Sequence, residues 1–268
     1  MSAFSSDRVA IEYGDNGVAH VRFTRGDKMN ALDPEQFDAV IAAGEHVSRL
    51  KGVRAVVLSG EGKAFCAGLD TSGFAAAPTG ENRPLADRTH GNANRAQRAA
   101  TVWRDCSAPV IAAVHGVCFG GGLQIASGAD IRVVHPETRM AIMEMKWGIV
   151  PDMGGYALWR GLVRDDVLRE LVYTNREFSG EEALRLGLAT FVENDPLARA
   201  MAIAEEIALK NPHAIRAAKR LFKAMHDEHA DTILLAESEE QDKVIRKPNQ
   251  IEAVMAAMQK RPPVFPED

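Results

Sequence analysis

The stretch PVIAAVHGVCFGGGLQIASGADIR, residues 109–132, decides the fold class. Its apolar start, PVIAAVHGV, predicts a buried strand, and the glycines Gly120, Gly121 and Gly122 predict a turn. A helix is predicted after Gly122, and the run IRVVHP that follows predicts another strand. Strands and helices in alternation are typical of an α/β core.

The first sixty residues fit the same class. Val9, Ile11 and Tyr13 form one alternating apolar set and Ala19, Val21 and Phe23 form another beyond an Asp-Asn-Gly turn, which predicts a β-hairpin. Asp33 and Pro34 predict the N-cap and first position of a helix over EQFDAVIAAGEHVSRL. The run VRAVVLSG at 53–60 predicts a buried strand. Periodicity alone leaves a doubly wound sheet and a winding spiral both open.

The rest of the chain divides into three kinds of segment. A polar stretch at 71–94 is too long for a tight connection and predicts a mobile loop. RMAIMEM at 139–145 predicts a strand, and the Ser179-x-x-Glu182 pattern predicts a capping box at the start of a helix. From about residue 195 the pattern is helical, so we divide the chain into an α/β core at 1–195 and a helical segment at 196–268.

Composition excludes several classes of protein. The 268 residues carry a net charge of −5 with scattered Lys and Arg, which argues against nucleic-acid binding. No apolar run approaches the roughly 20 residues of a membrane span. Cys66, Cys106 and Cys118 include no CxxC pair, so neither a metal site nor a disulfide framework is expected. Without a signal peptide, a cytoplasmic location is expected.

Two glycine-containing turns follow predicted strands, AFCAGLD at 64–70 and FGGG at 119–122. Glycine lets a ligand approach the backbone N–H groups, and those in the first turn of a helix lack intrahelical acceptors. Such a turn is suited to holding a negative oxygen, although tight helix packing explains the glycines equally well. P-loop, dinucleotide-binding and GxSxG patterns are absent from the sequence.

Two acids stand out by their surroundings. Glu144 lies in the apolar run RMAIMEMKWG, and Asp152 follows in VPDMGG. A buried carboxyl group has a raised pKa unless it is paired, which suits proton transfer. Two plainer interpretations stay open, a solvent-facing Glu144 and an Asp152 that only caps the following helix.

The order and spacing of several motifs resemble the enoyl-CoA hydratase/isomerase, or crotonase, family over nearly the whole chain. The motifs are KMNALD at 28–33, KAFCAGLD at 63–70, the stretch at 109–132, MEMKWGIVPDMGG at 143–155, FSGEEALRLGLATFV at 178–192 and MQKRPPVF at 258–265. The resemblance implies a spiral of ββα units, followed by a helical segment that assembles trimers, often paired into hexamers. It further implies an acyl-CoA thioester of fatty-acid metabolism as substrate, with coenzyme A as part of that substrate, no separate cofactor and no metal.

The resemblance also assigns roles to residues. It implies an oxyanion hole made by the backbone N–H groups of Leu69 and Gly121, which would polarise the thioester oxygen and stabilise an enolate. It implies contacts to coenzyme A from Lys28, Met29 and Ala67, and from Lys260 or Arg261 of a neighbouring subunit.

The acid pattern separates members of the family. Gln124 stands where the resemblance places the first of two hydratase glutamates, and an amide cannot accept a proton from water at neutral pH. Glu144 matches the second glutamate. Asp152 matches the catalytic aspartate of dienoyl-CoA isomerases, which carry a further aspartate where this chain has Gln124.

The leading hypothesis is a double-bond isomerase on enoyl- or dienoyl-CoA, with Glu144 and Asp152 as proton shuttles. An enoyl-CoA hydratase, in which Glu144 acts and Gln124 orients the water, is the first alternative. Thioester hydrolysis and decarboxylation are further family reactions. A non-catalytic acyl-CoA-binding protein is the alternative from another class.

Overall fold

The strands form two sheets that wind as a spiral. The computed structural model describes residues 4–73, 84–226 and 230–261. Its strands are β1 (Val9–Tyr13), β2 (Val18–Phe23), β3 (Ala55–Gly60), β4 (Val110–Val114), β5 (Val117–Phe119), β6 (Ile131–Val134), β7 (Arg139–Ala141) and β8 (Phe191–Val192). The larger sheet has the order β1-β2-β3-β4-β6-β8, and β5 pairs with β7 in the smaller one. The predicted β1–β2 hairpin is antiparallel, and the other pairs are parallel.

In the first part of the chain, helices alternate with strands. After β8 the chain is mainly helical. They are α1 (Pro34–Arg49), α2 (Arg95–Asp105), α3 (Gly121–Ser127), α4 (Gly155–Trp159), α5 (Asp165–Thr174), α6 (Gly180–Leu186), α7 (Pro196–Ala208), α8 (Pro212–His226), α9 (Ala230–Val244) and α10 (Pro248–Gln259). The succession β4-β5-α3 is repeated as β6-β7-α4, and each repeat adds one strand to both sheets. This is the predicted spiral of ββα units, so the choice that periodicity left open is settled.

Local signals in the sequence fix several helix starts. The Asp33 carboxylate accepts the Gln36 N–H at 2.8 Å, with Pro34 in the first turn, as predicted. Ser179 Oγ accepts the Glu182 N–H at 3.1 Å, which is one half of the predicted capping box. The Glu182 carboxylate instead contacts Arg176 at 2.8 Å.

The larger sheet is covered on both faces, because successive residues of a strand point to opposite sides. Val56 and Leu58 of β3 belong to the main core with α1, α2 and α3, whereas Val57 lies on the other face. There Ala200 and Ala204 of α7 pack against the sheet. The first helix of the predicted C-terminal segment therefore completes the core, and the role of that segment in oligomerisation stays a prediction.

Two predicted strands are shorter than their apolar runs. PVIAAVHGV divides into β4 and β5 at Gly116, which has φ +64° and approaches the Lys63 carbonyl too closely for any side chain. RMAIMEM ends as a strand at Ala141, and Glu144 begins a 3₁₀ turn, Glu144–Trp147, that Gly148 closes at φ +67°. The prediction that Glu144 lies in a strand is thus wrong.

The predicted mobile loop at 71–94 lies partly outside the described residues, which omit 74–83. Its later part is anchored to α9, because the N–H groups of Leu85 and Ala86 donate to the Asp242 carboxylate at 3.1 and 3.4 Å. Among the described helices, none is both long and apolar enough to cross a membrane.

Candidate active site

The two glycine turns meet at the N-terminus of α3. Leu32 pairs with the 68–70 segment: its N–H donates to the Gly68 carbonyl at 2.8 Å, and its own carbonyl accepts the Asp70 N–H at 3.0 Å. This parallel pairing leaves the N–H of Leu69 directed away from Leu32. A Cβ atom added at Gly68 would lie 3.5 Å from the Gly121 nitrogen, so the two turns are in contact.

The N–H groups of Leu69 and Gly121 are both available to a ligand. Gly121 is the first residue of α3, and within residues 4–73, 84–226 and 230–261 neither N–H donates to another residue. N–H groups without acceptors can stabilise an oxyanion, and that of Gly121 also lies at the positive end of α3. The structure thus brings together the two turns whose N–H groups the family resemblance singled out, while their function as an oxyanion hole stays a prediction.

Packing also explains the glycines. A Cβ at Gly121 would lie 2.6 Å from Met153 Sδ and 2.8 Å from Leu32 Cδ1, and one at Gly122 would collide with the Cys66 carbonyl. Both interpretations of the turn therefore apply, because close packing excludes side chains and the Gly121 N–H is still left without a partner in the described chain.

A cavity of about 600 Å³ opens beside the two turns. Its polar lining includes Gln124, Glu144 and Asp152, and its wall also includes Ala67 and Leu69. The apolar part of the wall includes Phe37, Leu85, Ala96, Phe119, Met143, Trp147, Ile149, Val150, Met153 and Ile245. A largely apolar cavity with a few convergent polar groups is typical of a small-molecule site.

Glu144 is buried at the cavity wall, with 7% of its surface exposed, so the solvent-facing interpretation is wrong. Burial raises the pKa of its carboxyl group to about 7, although hydrogen bonds, including that from Gln124, act in the opposite direction. Gln124 Nε2 donates to Oε1 at 2.6 Å, whereas Oε2 has no hydrogen-bond partner in the described chain. Glu144 is therefore a weak acid with one oxygen uncommitted.

Gln124 has a fixed orientation. Its Oε1 accepts the N–H groups of Met153 and Gly155, each at 2.9 Å, so its NH₂ group must face Glu144. Its amide oxygen is thus already used by the backbone, and only the second hydrogen of its NH₂ group is left for a water or a substrate.

We predict that Gln124→Leu lowers the free energy of unfolding by about 1–3 kcal/mol, because two buried backbone N–H groups lose their acceptor. Denaturant unfolding at pH 5 measures this, with Gln124→Glu as the matched control. Glu keeps an oxygen for both N–H groups and, at that pH, can accept a hydrogen bond from the protonated carboxyl group of Glu144. An equal loss in both variants would show that the acceptor role is unimportant.

Asp152 lies in the same wall, 5% exposed, inside a hydrogen-bond network. Its Oδ2 accepts from Asn94 Nδ2 at 3.1 Å, and its Oδ1 accepts from Gln97 Nε2 at 2.9 Å and Ser238 Oγ at 3.3 Å. Burial raises the pKa of this carboxyl group to about 7, and the hydrogen bonds oppose the rise. The N-cap of α4 is Gly154, so the interpretation of Asp152 as a helix cap is wrong.

Sequence reasoning missed the partners of Asp152. Asn94 and Gln97 form a capping box at the start of α2, a pattern that is visible in the sequence as Asn-x-x-Gln. Ser238 lies on α9, 144 residues from Asn94, and no local signal connects them.

The predicted coenzyme A residues fall into two groups. Met29 is in the left-handed conformation at φ 51°, is 43% exposed, and follows Lys28; its carbonyl accepts the Ala67 N–H at 2.9 Å. These residues therefore lie together near the cavity. Lys260 follows α10, and Arg261 pairs with Glu252 of the same helix at 2.5 Å. The contacts of all five with coenzyme A stay predictions.

A family model described as enoyl-CoA hydratase/isomerase matches residues 13–268. The chain belongs to the enoyl-CoA hydratase/isomerase family, which confirms the predicted resemblance. An enoyl-CoA hydratase/isomerase structure from Pseudoalteromonas atlantica superposes with a TM-score of 0.86 at 25% identity, covering 97% of this chain and all (100%) of that one. The crotonase-like fold is confirmed as well.

Relatives with different activities resemble the chain to a similar degree. Mouse mitochondrial Delta(3,5)-Delta(2,4)-dienoyl-CoA isomerase is 29% identical over 269 residues, 97% of this chain and 82% of the mouse protein. A probable enoyl-CoA hydratase of Mycobacterium bovis is 32% identical over 252 residues, 92% of this chain and 95% of that protein. Because the mouse relative is named mitochondrial, the expected cytoplasmic location is not confirmed.

Proposed function

We propose that the protein is a double-bond isomerase acting on fatty enoyl- or dienoyl-CoA thioesters. The observation that carries the proposal is a pair of buried carboxyl groups, Glu144 and Asp152, in the wall of one largely apolar cavity. Burial gives both groups a pKa of about 7, so each can take up or release a proton at neutral pH.

The proposed reaction assigns one step to each of these groups. The N–H groups of Leu69 and Gly121 would hold the thioester oxygen and stabilise the enolate formed when a carbon next to the conjugated system loses its proton. Three donors face Asp152, which favours its ionised form and suits a base. Glu144 has an uncommitted Oε2 that can carry the proton returned to a different carbon. The double bond moves and no water is consumed.

This assignment predicts a bell-shaped pH dependence of kcat/KM with its maximum near pH 7. The rate falls below about pH 7 as Asp152 becomes protonated, and above about pH 7 as Glu144 loses the proton it must donate. Initial rates on 3,5-dienoyl-CoA between pH 5 and 9 measure it. A profile that is flat over this range would contradict the assignment.

A hydratase is the second candidate, favoured by the similarity to the probable hydratase of Mycobacterium bovis. In that reaction Glu144 would activate a water held by the second N–H of Gln124. The amide oxygen of Gln124 already accepts two backbone N–H groups, so a single N–H would have to hold the water, and Gln124 could not take its proton. The proposal of isomerisation is the stronger one for this reason.

A panel of CoA thioesters tests the proposal. The purified protein is incubated with 3-enoyl-, 3,5-dienoyl- and 2-enoyl-CoA, and products are identified by mass and chromatographic retention. Isomers of unchanged mass support the proposal, and a product heavier by one water supports the hydratase. Tight binding without any product would favour the non-catalytic acyl-CoA-binding protein. The predicted trimer or hexamer is a separate proposal, which the mass of the protein in solution tests.

A further inference from the structure

We infer that Arg88, Asn94, Gln97 and Ser238 are positioning residues that hold Asp152 as an ionised acceptor and connect it to α9. The catalytic meaning of this network rests on the proposed function. The geometry of the network does not depend on that function, because all of its contacts are made within the chain.

The two amides in the network can have only one orientation. Asn94 Oδ1 accepts the Gln97 N–H at 2.8 Å, so its NH₂ group faces Asp152. Gln97 Oε1 accepts the Asn94 N–H at 3.0 Å and Arg88 Nη1 at 3.1 Å, so its NH₂ group also faces Asp152. Both side chains are therefore locked as donors toward the carboxylate.

Ser238 adds a third donor from another element. Its Oγ, which is fully buried, accepts from Arg88 Nη2 at 2.8 Å and from Asn94 Nδ2 at 2.9 Å. Its own hydrogen is then left for Asp152 Oδ1 at 3.3 Å or for the Leu234 carbonyl at 3.4 Å. Arg88 thus orients both Gln97 and Ser238 without contacting the carboxylate directly.

Arg88 is the positively charged member of this network. Charged side chains that line the cavity beside Asp152 include Arg95 of α2, Arg139, Lys146, Glu177 and Arg246. Glu144 lines the same cavity wall, and Gln124 links its carboxylate to the backbone next to Asp152, because the Gln124 oxygen accepts the Met153 N–H. Asp242 of α9 is engaged by backbone N–H groups of the 84–86 segment. Arg88 is the cation whose charge lowers the pKa of Asp152, against the effect of burial.

The same contacts join α9 to the site. Ser238 and Asp242 lie four residues apart on α9, and the Leu234 carbonyl one turn earlier accepts from Gln97 Nε2 at 2.6 Å. One face of α9 therefore holds α2, the 84–94 segment and Asp152 together. Loosening this helix would remove the Ser238 donor and the Ser238 contact that orients Arg88.

The test follows the carboxyl group of Asp152 directly. Protein labelled with ¹³C at aspartate carboxyl carbons is titrated by NMR, and the Asp152 signal is assigned by its loss in Asp152→Asn. In Arg88→Gln we expect the pKa of Asp152 to rise by about one pH unit, and in Ser238→Ala to rise by less. Arg88→Lys keeps the charge and is expected to reverse part of the rise. Arg98→Gln, which removes an arginine of α2 that pairs with Asp105 and Glu45, should leave the titration unchanged.

The outcomes separate this inference from the proposed function. An unchanged Asp152 titration in folded Arg88→Gln, or in Ser238→Ala if Arg88→Gln fails to fold, overturns the inference whatever the activity. A shifted titration in a protein that moves no double bond supports the network and overturns the proposed function. If the network inference and the proposed function are both correct, the acidic limb of the kcat/KM profile of Arg88→Gln moves to higher pH together with the Asp152 titration. Binding of the thioester changes little.

Discussion

Replacing Asp152 with Asn is expected to lower the turnover number for double-bond isomerisation by about 10²–10⁴-fold, the range typical for loss of a general acid or base. Asn cannot accept the substrate proton, although it fills nearly the same volume in the cavity wall. The thioester is held by other groups, so KM should change far less than kcat. Steady-state kinetics on 3,5-dienoyl-CoA measure both parameters.

The matched control is Asp166→Asn, because Asp166 is an exposed aspartate of α5 that pairs with Arg164. It should retain the activity of the unmodified protein. The NH₂ group introduced by Asp152→Asn would face the donor of either Asn94 or Gln97, so thermal unfolding of this variant must be followed alongside the kinetics. Undiminished isomerase activity in folded Asp152→Asn would remove Asp152 from the mechanism.

Replacing Glu144 with Gln is expected to stabilise the protein by up to about 3 kcal/mol at pH 8, even though it removes a catalytic acid. The pKa of Glu144 is raised from 4.5 to about 7 by burial, and each pH unit of that difference corresponds to roughly 1.4 kcal/mol. A raised carboxyl pKa costs no stability below about pH 4.5. The cost grows between pH 4.5 and 7 and is constant above that range.

The amide introduced by Glu144→Gln would remain neutral at every pH, while its oxygen could still accept from Gln124. The gain in stability should therefore be near zero at pH 4 and largest above pH 7, as followed by denaturant unfolding across this range. Glu205→Gln is the control, because Glu205 is exposed on α7, and it should show no comparable pH-dependent gain. A gain that does not depend on pH would mean that burial of the Glu144 charge is not its cause.

Much of the fold could be predicted from local signals. The Asp33-Pro34 cap, the hairpin around the Asp-Asn-Gly turn, and the strand–glycine–helix order of residues 109–132 each depend on a few neighbouring residues. The break within PVIAAVHGV could not be predicted, because it depends on the approach of Gly116 to Lys63. A contact between distant segments leaves no periodic pattern in either of them.

The site was predictable to a similar extent. Glu144 and Asp152 stood out because charged residues are unusual in apolar runs, and the structure places both in one cavity wall. The direction in which Gln124 points depends on N–H groups near residues 153–155, and the donors around Asp152 come from α2 and α9. These features set how readily each acid holds its proton, and they arise only from tertiary packing.

The most direct test is one reaction of 3,5-dienoyl-CoA with the unmodified protein in deuterated water, followed by mass spectrometry of the product. Separate groups for removing and returning the proton predict an isomer that carries one deuterium and no added oxygen. Addition of one deuterated water to 2-enoyl-CoA, with 3,5-dienoyl-CoA left unchanged, would identify the protein as a hydratase. Recovery of the starting thioester with no shift of the double bond would contradict isomerisation by Glu144 and Asp152 altogether.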